Sequence, residues 1–176
     1  MLELVKRSFE PIEQVATRFI ELPFWKFRWL VYEVWIITVV LGEFAALGMK
    51  LIVSADKSSL IEMNKEATLA RSSEKSPVSI RYQPSYLNRS DENIRPDIVV
   101  TGDDAVTPDS VSLIVECKQR LDLTTPHLED VQARYEAGVQ RAVGQVVVVN
   151  YDNAAWSSCN ERTKLIANVR SRTAGL

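Results

Sequence analysis

The fold is decided by Arg95-Pro96-Asp97-Ile98-Val99-Val100 and, after a turn-rich connection, Val111-Ser112-Leu113-Ile114-Val115-Glu116-Cys117-Lys118. Aliphatic and β-branched residues dominate both segments, as strands buried in a sheet require. Gly102-Asp103-Asp104 stops the first and Pro108-Asp109 leads into the second, a connection short enough to predict antiparallel pairing. Strand side chains alternate between faces, so Glu116 and Lys118 share one face and Cys117 takes the other. Antiparallel pairing then sets Asp97, at the start of one strand, beside the end of the other. The pattern brings Asp97, Glu116 and Lys118 together at one edge of the sheet.

Such a grouping needs a cause, because like carboxylates repel and burial raises their pKa values. A divalent cation supplies one. Asp97, Glu116 and the backbone carbonyl of Cys117 offer the hard oxygen ligands that Mg²⁺ takes, with Mn²⁺ as a substitute. A metal held there activates water and neutralises charge on a phosphate, and Lys118 stabilises developing negative charge.

Beyond Lys118, Thr125 reads as the N-cap of a helix with Pro126 at its first position and Glu129 and Asp130 in its first turn. Its buried face is Leu128, Val131, Tyr135, Val139 and Val143. Val146-Val147-Val148-Val149 reads as a strand covered on both faces, a parallel neighbour reached through that helix. Ser158 and Glu161 match a capping box for a last helix running to about Val169. Upstream, Ala67 to Arg71 and Val78 to Tyr82 form a hairpin around a polar run, and Lys50 to Val53 a short strand. A long helix from about Phe24 to Leu47 ends near Gly48 and is apolar on most sides, which predicts burial on most sides. Residues 1 to about 22 read as an amphipathic helix that Pro11 kinks or divides, with Pro23 as punctuation. The expected architecture is α/β: a mixed central sheet flanked by helices in 24–176, with an N-terminal helical arm over 1–23.

Bulk properties narrow the chemistry. At 176 residues, 46% hydrophobic and 25% charged, the chain suits a globular domain and not wholesale disorder. A net charge of -2 gives no global attraction for nucleic acid, so phosphate binding needs a local basic face. Arg162, Lys164, Arg170 and Arg172, with Glu161 as the one acid among them, make a candidate; a solvated helix and tail is the equal alternative. Cys117 and Cys159 make no disulfide framework, and His127 alone cannot support a zinc cluster. Reduced thiols and a cytoplasmic location are the expectation. Leu30 to Leu51 tempts a membrane assignment, but its apolar centre, Val34 to Leu41, is short of the ~20 residues a bilayer requires. Glu33 and Glu43 flank that centre, so a core helix and no membrane partner are expected. The first residues, with Glu3 and Glu10, lack the form of a signal peptide.

The Pro-Asp strand start, the Glu-x-Lys strand end, the crossover helix and the buried strand after it resemble the PD-(D/E)xK nuclease superfamily over about residues 24–150. The resemblance implies a restriction-endonuclease-like sheet, a Mg²⁺ cofactor, and Asp97, Glu116 and Lys118 as catalytic residues. It also implies an acid on the preceding helix. Glu33 in Tyr32-Glu33-Val34-Trp35 is the first match and Glu43 the fallback. Tyr82-Gln83-Pro84-Ser85-Tyr86, with that helix upstream, is similar to McrC-type restriction subunits. Gln132 and Tyr135 stand one residue short of the Gln-x-x-x-Tyr spacing of the RecB-like branch, and Tyr135 reads as core. Gln119, Gln132 and Arg95 are candidate substrate contacts.

The expectation is therefore a Mg²⁺-dependent endonuclease on DNA, in restriction, defence or repair, acting as a homo-oligomer or with a companion subunit. A nuclease-fold binding or assembly module without catalysis, and an RNA endonuclease using the same site, are the alternatives. His127 reads as a surface residue, and Asp103, Asp104 and Asp109 as turn residues without calcium-loop spacing. Trp25, Trp29 and Trp35 read as core or interface, and Arg81 and Arg89 as solvated.

Overall fold

The computed structural model describes residues 28–53, 66–72, 78–103, 105–119, 123–152, 160–167 and 169. The expected arm over 1–23 and Trp25 lie outside them. Helix α1 (Arg28–Ala46) leads into strands β1 (Leu51–Val53), β2 (Ala67–Ser72) and β3 (Ser79–Tyr82). A small ribbon follows, β4 (Tyr86–Leu87) with β5 (Asn93–Ile94), and then β6 (Ile98–Thr101) and β7 (Val111–Lys118). Helix α2 (Thr125–Glu136), β8 (Gln145–Asn150) and β9 (Thr163–Ile166) complete the order.

Seven of these strands form one sheet in the order β1-β2-β3-β6-β7-β8-β9. Pairing is antiparallel from β1 through β7 and parallel from β7 to β9. The change of direction between β7 and β8 follows from their connection: α2 carries the chain back along the sheet to start β8 beside β7, as a parallel neighbour requires. The fold is thus α/β with a mixed central sheet.

Each sheet face has its own core. Leu30, Tyr32, Ile36, Ile37 and Leu41 of α1 pack on Ile80, Ile98, Val100 and Val115. Leu128, Val131 and Tyr135 of α2 pack on Val99, Ile114, Val146 and Val148. Gly48, at φ 85, takes the left-handed conformation that ends α1. The stretch Trp29–Ala46 is long and apolar enough to cross a membrane by length and composition, with 33% of it buried here. Burial of α1 on most sides is corrected to burial on the sheet side, since Trp29 is 39% and Val39 42% exposed.

The expected last helix is the main correction. Ser158 lies outside the described residues, and Thr163–Ile166 is a parallel edge strand against β8. Asn160 Oδ1 accepts from the amides of Arg162 (2.8 Å) and Thr163 (2.7 Å), a local turn that uses the donors a helix start would present. The edge of β8 then captures the segment. Within the basic face expected there, Arg162 donates to the carbonyls of Gln140 (3.0 Å) and Gly144 (3.3 Å), so it braces the turn before β8. Lys164 is exposed, and Arg170 and Arg172 lie outside the described residues.

Smaller corrections concern α2. Its N-cap is Thr124, one residue earlier than expected, and its first turn carries no acid. Asp130 instead pairs with Arg134 at 2.9 Å. Val143 falls beyond the helix and is 63% exposed, because the chain has already turned toward β8. Arg89 is not solvated: it donates to the carbonyls of Val139 and Pro108 and to Asp109, tying the ribbon to the turns around it. Arg81 pairs with Glu66 at 3.4 Å.

Candidate functional site

Register builds the site. Ile98 faces Val115 across the β6–β7 pair, so one further step sets Asp97 opposite Glu116. The Cys117 amide donates to Asp97 Oδ2 at 2.7 Å, which fixes that carboxylate at the mouth of the two strands. Alternation puts Glu116 and Lys118 on the face that carries α2, and Lys118 Nζ lies 2.5 Å from Glu116 Oε1. Successive strand amides point to opposite sides. The Lys118 carbonyl accepts from Tyr151 on the β8 side at 3.0 Å, so the Cys117 carbonyl is directed to the side of Asp97.

Helix α1 supplies the third acid. Glu33 is buried at 7% exposure, and its Oε2 accepts from the Tyr82 hydroxyl at 2.7 Å and from Gln83 Nε2 at 3.4 Å. Glu43, ten residues on, is exposed and apart from this group. Of the two glutamates, Glu33 is the one that stands with Glu116 and Lys118.

The electrostatics record the crowding. Burial pushes the Asp97 carboxyl well above the usual range, and the charges of Glu116 and Glu33 push it further, against the Cys117 amide and Lys118. Burial likewise raises Glu33 to about 6, opposed by the Tyr82 hydrogen bond and reinforced by Glu116. The Cys117 thiol is pushed up by burial and then by Asp97, Glu33 and Glu116, so it stays a neutral packing group. Tyr135, on α2, is held up by burial first and then by the charge of Glu116 and hydrogen bonding to it. Glu116 Oε2 is nevertheless buried without a well-formed hydrogen bond.

Three carboxylates, Glu33, Asp97 and Glu116, face one ammonium, Lys118. Among the described residues no three His, Cys, Asp or Glu side chains converge closely enough to ligate one ion by themselves. The expected set is smaller: two carboxylates and the Cys117 carbonyl, with water and substrate completing the shell, as Mg²⁺ commonly arranges. Glu116 Oε2, buried without a well-formed hydrogen bond, and the surplus negative charge fit a hard divalent cation.

The other expected contacts separate. Arg95 is exposed two residues before Asp97, and its Nε donates to the Gln83 carbonyl at 3.3 Å. Gln119 follows β7 directly and is half-buried. Gln132 turns away from the carboxylates and donates to Glu136 Oε1 at 2.9 Å. That oxygen also accepts from Asn160, at 2.9 Å, and from Thr163 of β9. His127 is exposed beside the Thr124 hydroxyl. Tyr82 and Gln83 are site residues that sequence reasoning met only within a branch-level resemblance. Their signal was a tyrosine and an amide closing the strand next to that of Asp97.

Fold and site together define an α/β protein with an acidic, lysine-bearing centre where its central sheet ends. The chain belongs to the family described as the Y4bO third domain, whose model matches residues 27–175. No curated protein and no solved structure matches it.

Proposed function

We propose that this chain is a Mg²⁺-dependent nuclease that hydrolyses phosphodiester bonds, acting as an endonuclease on DNA. The observation that carries the reading is the register of β6 against β7, which sets Asp97 opposite Glu116 with Lys118 alongside. Glu33 closes the group from the opposite sheet face. The resemblance to PD-(D/E)xK nucleases supports the same reading and extends it to DNA; the family description names no reaction.

Asp97, Glu116 and the Cys117 carbonyl would hold the cation, with Mn²⁺ as a substitute. Bound there, it supplies a water of lowered pKa and neutralises phosphate charge. The protein's own groups do the rest. Lys118, moving off Glu116 Oε1, donates to a non-bridging phosphate oxygen as negative charge develops. Glu33, with a carboxyl at about 6, is mostly ionised at neutral pH and is anchored through Oε2 by Tyr82. Its other oxygen is left to orient the attacking water and accept a proton. Tyr135 and Tyr82 wall the carboxylates with neutral phenols.

The test is cleavage of plasmid, linear duplex, single-stranded DNA and RNA with Mg²⁺, Mn²⁺ or EDTA, beside Asp97→Ala and Lys118→Ala. Metal-dependent cutting of DNA that both variants lose supports the proposal. Cutting confined to RNA would reassign the substrate. A folded wild type that neither binds metal nor cuts would sink it in favour of a non-catalytic binding module.

A further inference from the structure

We propose that the open groove beside the carboxylates seats one unpaired nucleotide next to the scissile phosphate, so that the preferred DNA is single-stranded or locally opened. This rests on the nuclease reading and deepens it.

The groove has a volume of about 360 Å³ and is lined by Glu66, Gln83, Ser85, Asn93 and Arg95. That volume lies at the low end of small-molecule sites, room for a nucleotide and far too little for a duplex. It shares a wall with the proposed active site. The Gln83 amide nitrogen of the backbone donates to the Asp97 carbonyl at 2.9 Å, while its side chain reaches Glu33. Gln83 holds φ 45, a left-handed conformation costly for any residue with a Cβ and maintained here by those contacts.

The lining has the chemistry of a nucleotide seat. Arg95 is exposed, and its bond from Nε to Gln83 is the one it makes among the described residues, which leaves the guanidinium fork open to a phosphate. Gln83 Oε1 is buried with no donor, an unmet acceptor suited to the N–H of a base. Ser85 and Asn93 pair with each other at 2.9 Å on the exposed rim, where amide and hydroxyl can exchange that bond for sugar or base edges.

Duplex binding is driven by neutralising many phosphates at once. Here the net charge is -2, and among the described residues Arg81, which precedes Gln83 on β3, is engaged with Glu66. Arg95, the one arginine that lines this groove among the described residues, suits one displaced strand.

The experiment measures fluorescence anisotropy of a short labelled single strand and of its duplex, with Ca²⁺ replacing Mg²⁺ to block cutting. Wild type is compared with Arg95→Ala and Asn93→Asp, each checked for an unchanged melt. The wild type is expected to bind the single strand about tenfold more tightly than the duplex, and each variant to lose about tenfold on the single strand alone. Cleavage with Mg²⁺ is run in parallel. Equal binding of both DNAs, or variants that bind like wild type, in a protein that still cuts, overturns the groove assignment and leaves the nuclease reading standing. A wild type that neither cuts nor binds overturns both.

Discussion

The Tyr82 hydroxyl donates to Glu33 Oε2 at 2.7 Å, joining the end of β3 to α1 across 49 residues of sequence. Both groups are buried, so neither exchanges this bond for water without cost. Tyr82→Phe keeps the ring and removes the donor. It is expected to lower stability by about 1 kcal/mol in urea unfolding. Because the bond opposes the effect of burial on Glu33, its loss also raises that carboxyl above about 6. The acid limb of the cleavage profile should move to higher pH; a profile that stays in place would remove Glu33 from the proton inventory.

The same carboxyl makes metal-free stability depend on pH in an unusual direction. Glu33 rises from 4.5 to about 6 on folding, so between those values the native state binds more protons than the unfolded chain. Stability therefore falls as pH rises through that window, by on the order of 2 kcal/mol from this group. Asp97, also shifted upward, adds to the same trend. Melts in EDTA should be higher near pH 5 than near pH 7.5, and Mg²⁺ should flatten the difference by offsetting the carboxylate repulsion. Melts in EDTA that rise with pH would contradict the crowding described for this site.

Asp97→Asn separates stability from function. Asparagine keeps an oxygen to accept from the Cys117 amide and removes a charge that Glu116 and Glu33 oppose. The variant is expected to melt a few degrees above wild type in EDTA, as about 1 kcal/mol would produce in a domain of this size. It should gain nothing from Mg²⁺ and cut no DNA. A variant less stable than wild type in EDTA would mean that the carboxylate is compensated without a cation.

What could be read in the sequence was local. Asp97, Glu116 and Lys118 follow from a period of two and a short connection, and both are fixed within about 20 residues of chain. The choice of Glu33 over Glu43 was not: α1 is apolar nearly all round, so periodicity alone could not say which side meets the sheet. Tyr82 and Gln83 were quoted only within a resemblance, and their place beside Glu33 was not legible for a related reason. Their neighbour β6 follows only after the β4–β5 ribbon, and no nearby residue sets that register. The helix expected after Ser158 failed because its capping pattern is a local signal, whereas pairing of Thr163–Ile166 with β8 is tertiary.

The far end of α2 offers a test of where the second core stops. Periodicity placed Val143 with Leu128 and Val131, but the helix ends at Glu136 and Val143 stands 63% exposed, while Leu128 is fully buried against the sheet. Leu128→Ala should cost about 2–5 kcal/mol, the transfer and cavity terms together. Val143→Asp should stay within about 0.5 kcal/mol of wild type. Chemical unfolding of the two variants decides it. A Val143→Asp protein as damaged as Leu128→Ala would mean that the helix continues and carries Val143 into the core, which would also shift the start of β8 and the register that sets Glu116 beside Val148.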